Sequence, residues 1–194
     1  MARPKAFDRE KALQAAMAIF WSRGYEATST DDLIKGMGIG RQSLYDTFGD
    51  KHKLYLEALQ MYNANSIAGY IETIRGTASP MAAIEEILLS MALDSSETRA
   101  FGCMGINATC EFGQNDAKVN AVLQSSGVTM LSILEQALNE AKAKGEMPDT
   151  LDTRKAARFL NSTLAGMKVG ARGGEDADTL RDVASFALNS LRIR

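Results

Sequence analysis

The sequence predicts an all-α protein in which an N-terminal helix-turn-helix module of three helices precedes a larger helical bundle, with about nine helices in total. Three observations support this fold class. Apolar residues recur at helical spacing in almost every segment, whereas no segment shows the alternation of a strand. A glycine-containing turn separates two short helical segments near the N-terminus. The 194 residues include only 3 prolines, which disfavours a turn-rich β-sandwich.

The composition is that of an average globular chain, with 45% hydrophobic and 24% charged residues. The net charge of −2 does not by itself indicate a nucleic-acid partner, so such a partner has to be inferred from local arrangement. No apolar run approaches the roughly 20 residues that span a bilayer, and no secretory signal is recognised, so we expect no membrane partner. Two cysteines favour a reducing compartment and predict a cytoplasmic protein.

The first four helices are predicted from their caps and glycine stops. The first spans about 8–24, beginning at an aspartate and ending at a glycine. Thr30 is expected to cap the second, and residues 36–40 form a tight turn. The third runs from Arg41 to Phe48, and Asp50 caps a long fourth helix. This order is the helix-turn-helix plan.

The remainder is predicted as a bundle. Ser79 and Pro80 open the fifth helix as N-cap and first helical residue. A loop is expected over 95–101, followed by helices over about 102–112, 116–144, 152–169 and 176–191. We therefore expect two domains, 1–50 as the helix-turn-helix domain and 51–194 as a second domain, with the fourth helix as the connector.

Residues 24–54 carry a specific pattern. Its matching residues are Gly24 to Ile34, Gly38 to Tyr45, Phe48, and Lys51 to Leu54. This stretch resembles the DNA-binding domain of the TetR family of bacterial transcriptional regulators. The resemblance implies a ligand-responsive regulator, most often a repressor, that binds a double-stranded operator and is released by a small-molecule or thiol-reactive inducer. It also implies a homodimer.

The third helix is the predicted recognition helix, because a major groove admits one α-helix whose leading residues reach base edges. Arg41, Gln42 and Ser43 are the candidates for base contact. Tyr45 is expected to meet a phosphate, as that position does in the family, whereas Phe48 is expected in the core.

Phosphate contacts that fix register are expected from Thr30 and Lys51. Thr47 is a further candidate, although the family often has histidine or tyrosine there. Arg3 and Lys5 resemble a mobile arm that touches DNA, and a disordered charged terminus is the alternative.

The resemblance implies that the last two helices pair with those of a second copy in a four-helix bundle. The two recognition helices would then lie about 34–36 Å apart on a near-palindromic site. An internal core is the alternative interpretation of the apolar stripes on these helices.

An inducer pocket is expected in the second domain, with mostly apolar lining. The candidates are Met91, Cys103, Met104, Asn107, Cys110, Phe112, Met130, Leu134 and Met167. Ordinary core packing is the alternative for each methionine. No cofactor or metal is expected, and no set of charges converges on a ligand.

Cys103 and Cys110 are predicted on one helix, seven residues and ~10.5 Å apart along its axis, too far for a disulfide. Gly102 and Cys103 resemble a branch of the family in which a cysteine responds to electrophiles, oxidants or metal. A small buried thiol is the alternative. The one histidine, His52, is expected to flank a phosphate.

Two other functions compete with the regulator interpretation. The first is a small helical enzyme with a cysteine nucleophile, which would need a base such as histidine nearby. The second is a helical adaptor that does not bind DNA.

Overall fold

The computed structural model describes residues 7–93 and 96–192, which form ten α-helices and no strand. The all-α prediction is confirmed. The helices are α1 (Arg9–Arg23), α2 (Thr30–Met37), α3 (Arg41–Phe48), α4 (Lys51–Gly76), α5 (Pro80–Leu93), α6 (Ser96–Phe101), α7 (Met104–Phe112), α8 (Ala117–Ala143), α9 (Thr153–Arg172) and α10 (Ala177–Asn189).

Aspartate side chains cap half of these helices. In each case a carboxylate oxygen accepts a hydrogen bond from a backbone N–H of the first turn, which satisfies a donor that has no partner within the helix. These N-caps are Asp8, Asp50, Asp116, Asp152 and Asp176. The predicted starts of α1, α4, α8, α9 and α10 are thereby confirmed.

Two details of the prediction are wrong. Ser29, not Thr30, caps α2, because Ser29 and Asp32 form a reciprocal capping box that makes Thr30 the first helical residue. The expected loop over 95–101 contains the short helix α6, which has too few residues to show an apolar period. With α6 the described residues form ten helices, close to the predicted number of about nine.

The buried side chains form two clusters. The first joins α1, α2, α3 and the first half of α4, and it continues into α7 and α8 through Met104, Ala108 and Val119. The second joins α5, α8, α9 and α10. We call α1–α3 with the first half of α4 the head, the first cluster the head cluster, and the second cluster with its helices the body. The head rests directly on α7 and on the start of α8.

The apolar residues of α9 and α10 divide between two faces. Leu160, Leu164 and Leu180 are buried in the body. Phe159 and Val183 are exposed, together with Val169 and Phe186. The outer faces of α9 and α10 thus carry apolar side chains that the chain itself does not cover. Across the described ranges, no helix is both long and apolar enough to cross a membrane.

Candidate DNA interface and ligand cavity

The recognition helix α3 packs into the head by its inner face, and its outer face is exposed to solvent. Leu44 and Phe48 are buried in the head, as predicted for Phe48. Tyr45 is 41% exposed, and Arg41 and Gln42 are exposed on the leading turn. Ser43 is half-buried. Leu44 and Phe48, four residues apart, anchor one face of α3, and Gln42 lies well away from that face. Arg41 and Tyr45 lie at its margin and remain exposed.

The two leading side chains have exposed acidic partners. Arg41 forms an ion pair with Asp31 of α2, and Gln42 donates a hydrogen bond of 2.8 Å to Asp46, one turn later. Such solvent-exposed pairs contribute about 0–1 kcal/mol each, so exchanging them for a DNA partner costs little.

The predicted phosphate contacts lie around α3. Thr30 and Thr47 are half-buried, at the start of α2 and in the last turn of α3. The ammonium of Lys51 lies 4.2 Å from the centre of the Tyr25 ring, a cation–π contact at the start of α4. Arg3 and Lys5 lie outside the described residues.

Three sets of polar contacts join the head to α7, to the residue Gly102 before it, and to the N-cap of α8. The indole N–H of Trp21 donates to the Gly102 carbonyl at 3.1 Å. The Glu111 carboxylate accepts the backbone N–H groups of Tyr25 and Glu26 at 2.9 and 2.7 Å. His52 pairs with Asp116 at 2.6 Å.

These contacts place the C-terminal end of α7 under the loop between α1 and α2. They also give His52 a partner within the chain, where the sequence suggested a phosphate. The pairing of His52 depends on contact with the start of α8 and could not be predicted from the local sequence.

A cavity of about 270 Å³ lies between α4, α7, α8 and α9. It is lined by Tyr62, Asn63, Ser66, Ile67 and Tyr70 of α4, by Cys103, Gly105, Ile106 and Thr109 on or just before α7, by Leu123, Ser126, Gly127 and Met130 of α8, and by Asn161, Leu164, Ala165 and Lys168 of α9. Its wall is largely apolar with a few polar groups, as is usual for a small-molecule site.

A cluster of polar groups forms one end of the cavity. The Lys168 ammonium donates to the Tyr70 hydroxyl at 2.9 Å and lies 3.9 Å from the Cys103 sulfur. Burial lowers the pKa of Lys168, but Cys103 and Tyr70 raise it by more, so its pKa ends above the ordinary value. Burial raises the pKa of Tyr62, and the neighbouring Cys103 raises it further.

The nine predicted pocket residues do not form one site. Cys103 and Met130 line the cavity. Leu134 and Met167 are buried in the body, and Met104 and Phe112 pack in the head cluster. Asn107 and Cys110 lie instead in a neighbouring cleft beside Arg23 and Arg172. The Met91 side chain lies outside the described part of the structure.

The two cysteines are therefore in different surroundings. Cys103 is the N-cap residue of α7 with extended backbone, not a residue within the helix, and its sulfur points to Lys168. Cys110 is exposed. The predicted common face does not bring the two thiols into one cavity, because the helix begins only after Cys103.

Sequence reasoning missed the polar lining of the cavity. On α9, Asn161 and Lys168 lie seven residues apart beside the apolar stripe, and on α4 Tyr62, Ser66 and Tyr70 recur at helical spacing. These polar residues were the signal from which a cavity lining could have been predicted. The signal is not specific, because polar residues flank the apolar face of any amphipathic helix.

Comparison with known proteins identifies the family to which the two parts of the chain belong. Residues 12–58 match the family described as "Bacterial regulatory proteins, tetR family", and residues 82–186 match "Tetracyclin repressor-like, C-terminal domain". Together these matches cover well over half of the chain. The chain belongs to the TetR family. It is a helix-turn-helix transcriptional regulator, and the resemblance found in residues 24–54 is confirmed.

Individual members of the TetR family match along nearly the whole chain. The HTH-type transcriptional repressor ComR of Escherichia coli (strain K12) is 32% identical over 96% of this chain and 90% of its own length. The HTH-type transcriptional regulator YezE of Bacillus subtilis (strain 168) is 32% identical over 98% of this chain and 100% of its own.

A solved structure of the TetR-family regulator CifR, with substituted cysteines and in complex with 26-bp double-strand operator DNA, is also similar. It superposes with a TM-score of 0.84, at 29% identity, covering 98% of this chain and 100% of that one.

Proposed function

We propose that the protein is a cytoplasmic, homodimeric repressor that binds a near-palindromic operator and is released when an inducer enters the cavity. The observation that carries this proposal is the exposed leading face of α3 above its buried anchors Leu44 and Phe48. The operator complex of the similar CifR structure supports the same use of the head.

In this proposal Arg41, Gln42 and Ser43 contact base edges in the major groove. Arginine pairs with guanine and glutamine with adenine by two hydrogen bonds each. Tyr45, Thr47, Thr30 and Lys51 contact phosphates and fix the register. Arg41 would exchange Asp31, and Gln42 would exchange Asp46, for these DNA groups.

Dimerisation is assigned to the outer faces of α9 and α10. Phe159, Val169, Val183 and Phe186 leave an apolar surface on neighbouring helices, and a second copy would cover it as a four-helix bundle. Burying such side chains contributes about 25 cal/mol per Å² of apolar area.

Coupling is assigned to α7, because this helix touches both sites. Cys103 at its start lines the cavity, while Glu111 near its end accepts two hydrogen bonds from the head. An inducer that fits the cavity better when α7 is displaced would favour a head position that no longer matches DNA.

A thiol-reactive inducer would act at Cys103. Of the two cysteines, Cys103 is the one that lines the cavity, and its sulfur lies 3.9 Å from the Lys168 ammonium. We expect a thiol-alkylating reagent to release wild-type protein from DNA and to leave Cys103→Ser bound, with Cys110→Ser as the matched control that still responds. Release of Cys103→Ser by the reagent would contradict this assignment.

The alternative of a cysteine-dependent enzyme has less support. His52, the one histidine of the chain, pairs with Asp116, and no thiol is its recorded partner. The adaptor alternative has no observation in its favour.

A gel-shift assay with DNA upstream of the protein's own gene and its neighbours tests the proposal. A DNA-binding dimer should shift one segment specifically and lose affinity steeply as salt rises, because phosphate contacts release counterions. No specific shift at low salt, or a shift that is insensitive to salt, would contradict the proposal.

A further inference from the structure

We infer that the cavity between α4, α7, α8 and α9 takes a small organic anion, an apolar carboxylate whose charged group is held by Lys168 and Asn63. This inference rests on the proposed function in one respect, namely that the cavity is the inducer site. It adds the chemical class of the ligand and the two side chains that select it.

The first argument is the uncompensated charge at Lys168. Among the described residues that line the cavity, Lys168 is the one with a charged side chain, and it forms no ion pair with a carboxylate in the described part of the chain. Its recorded polar neighbours are the Tyr70 hydroxyl and the Cys103 thiol. Because a buried charge is stabilised mainly by an opposite charge, the ammonium is a ready partner for an anion.

The protonation state of Lys168 agrees with this role. Burial lowers its pKa, yet Tyr70 and Cys103 more than offset this effect and leave the pKa raised. The ammonium therefore keeps its positive charge near neutral pH despite its position in the cavity wall.

The second argument is an unused hydrogen-bond donor. The side-chain Nδ2 of Asn63 is buried and has no hydrogen-bond partner in the described structure, although Asn63 lines the same cavity. Buried polar groups are almost always paired, so an exception in a cavity wall points to a missing acceptor. A carboxylate has two acceptor oxygens, enough for the donors of Lys168 and Asn63 together.

The third argument is the apolar character of the remaining cavity wall. Ile67, Ile106, Leu123, Met130 and Leu164 make the remainder of the cavity largely apolar. A volume of about 270 Å³ suits a compact molecule. A ligand with an apolar body and one anionic end matches both the apolar wall and the ammonium of Lys168. A cation would meet a like charge, and a neutral molecule would give Lys168 no ion-pair partner.

Isothermal titration calorimetry on the full-length protein tests the inference. The probes are benzoate, naphthoate and octanoate, each compared with its own primary amide, which has nearly the same shape but no charge. We expect at least one carboxylate to bind tenfold or more tightly than its amide. Lys168→Met, which keeps the length of the side chain, should remove this preference, and the exposed Lys118→Met should keep it.

Two further variants keep the outcome decisive. Lys168→Gln replaces Lys168→Met if the latter does not fold, and it should likewise lose the preference. Asn63→Leu should weaken the carboxylate several-fold with the charge intact. Equal binding of acid and amide, a preference that survives both Lys168 substitutions, or no carboxylate binding at millimolar concentration would each overturn the inference.

Failure of the inference and failure of the proposed function remain distinguishable. Operator binding is measured on the same preparations without any probe. Intact operator binding with no carboxylate preference overturns only the ligand class. Absence of operator binding contradicts the proposed repressor, while the calorimetric preference is judged separately.

Discussion

At the scale of the residue, the inner and outer faces of α3 carry side chains with different roles. Leu44 and Phe48 hold the helix in the head, while Tyr45 and Gln42 are left exposed. This division follows from the helical period, which is why the sequence predicted it correctly. The acidic partners Asp31 and Asp46 were not predicted, because a side-chain pairing depends on rotamers that spacing alone does not determine.

Tyr45→Phe removes one hydroxyl and leaves the ring in place. We expect operator affinity to fall about fivefold, the effect of about 1 kcal/mol for one hydrogen bond. The loss should be equal on the operator and on base-substituted versions of it, since a phosphate carries no sequence information. Fluorescence anisotropy with labelled duplexes measures both, and an unchanged affinity would remove Tyr45 from the interface.

Gln42→Ala should behave differently, because Gln42 is assigned to a base edge. We expect discrimination between the operator and a base-substituted operator to shrink by about 1–3 kcal/mol at one position. Gln14→Ala, an exposed glutamine on α1, is the matched control and should leave discrimination intact. A uniform loss on all duplexes would reassign Gln42 to the backbone.

At the scale of the element, helix starts were predictable where an aspartate caps them, whereas the cap of α2 was misplaced by one residue. Asp50 and Asp116 begin α4 and α8 as expected. The six-residue α6 was missed, because one turn and a half gives no period to read. The polar end of the cavity was missed because Cys103 and Lys168 are 65 residues apart and meet only through the packing of α7 on α9.

The capping aspartates make the free energy of unfolding depend on pH in the acid range. The N–H of Lys53 holds the pKa of Asp50 below its ordinary value of 3.8, and the N–H of Val119 does the same for Asp116. A pKa lowered in the folded state means that the stabilisation is complete above the ordinary pKa. It is lost as pH falls through the folded value.

We therefore expect the free energy of unfolding to be flat above the ordinary aspartate pKa and to fall below it. Asp50→Asn keeps a good cap but removes one titrating group, so its acid-induced loss should be smaller. Urea unfolding followed by circular dichroism across the acid range measures both. If the free energy of unfolding fell equally with pH in the variant and in the wild type, Asp50 would not contribute to the acid dependence.

At the scale of the whole molecule, the account depends on two copies acting together. Phe186 is 79% exposed on α10, beside the exposed Val183. Phe186→Asp should yield a folded monomer with operator affinity reduced about tenfold or more, because the second head no longer binds at a high effective concentration.

Val128→Asp is the matched control for Phe186→Asp, since Val128 is 64% exposed but lies on α8. It should remain a dimer. Analytical ultracentrifugation distinguishes the two states. A dimer that persists in Phe186→Asp, with full operator affinity, would place the interface elsewhere.

The most direct test of the central claim is a footprint of the protein on sequences selected from random DNA. Two exposed α3 helices related by a two-fold axis should protect two inverted half-sites about 34–36 Å apart, on one face of the duplex. Arg41→Ala should weaken protection of both half-sites alike. Selection of no common sequence, or protection of a single site without an inverted partner, would contradict the account.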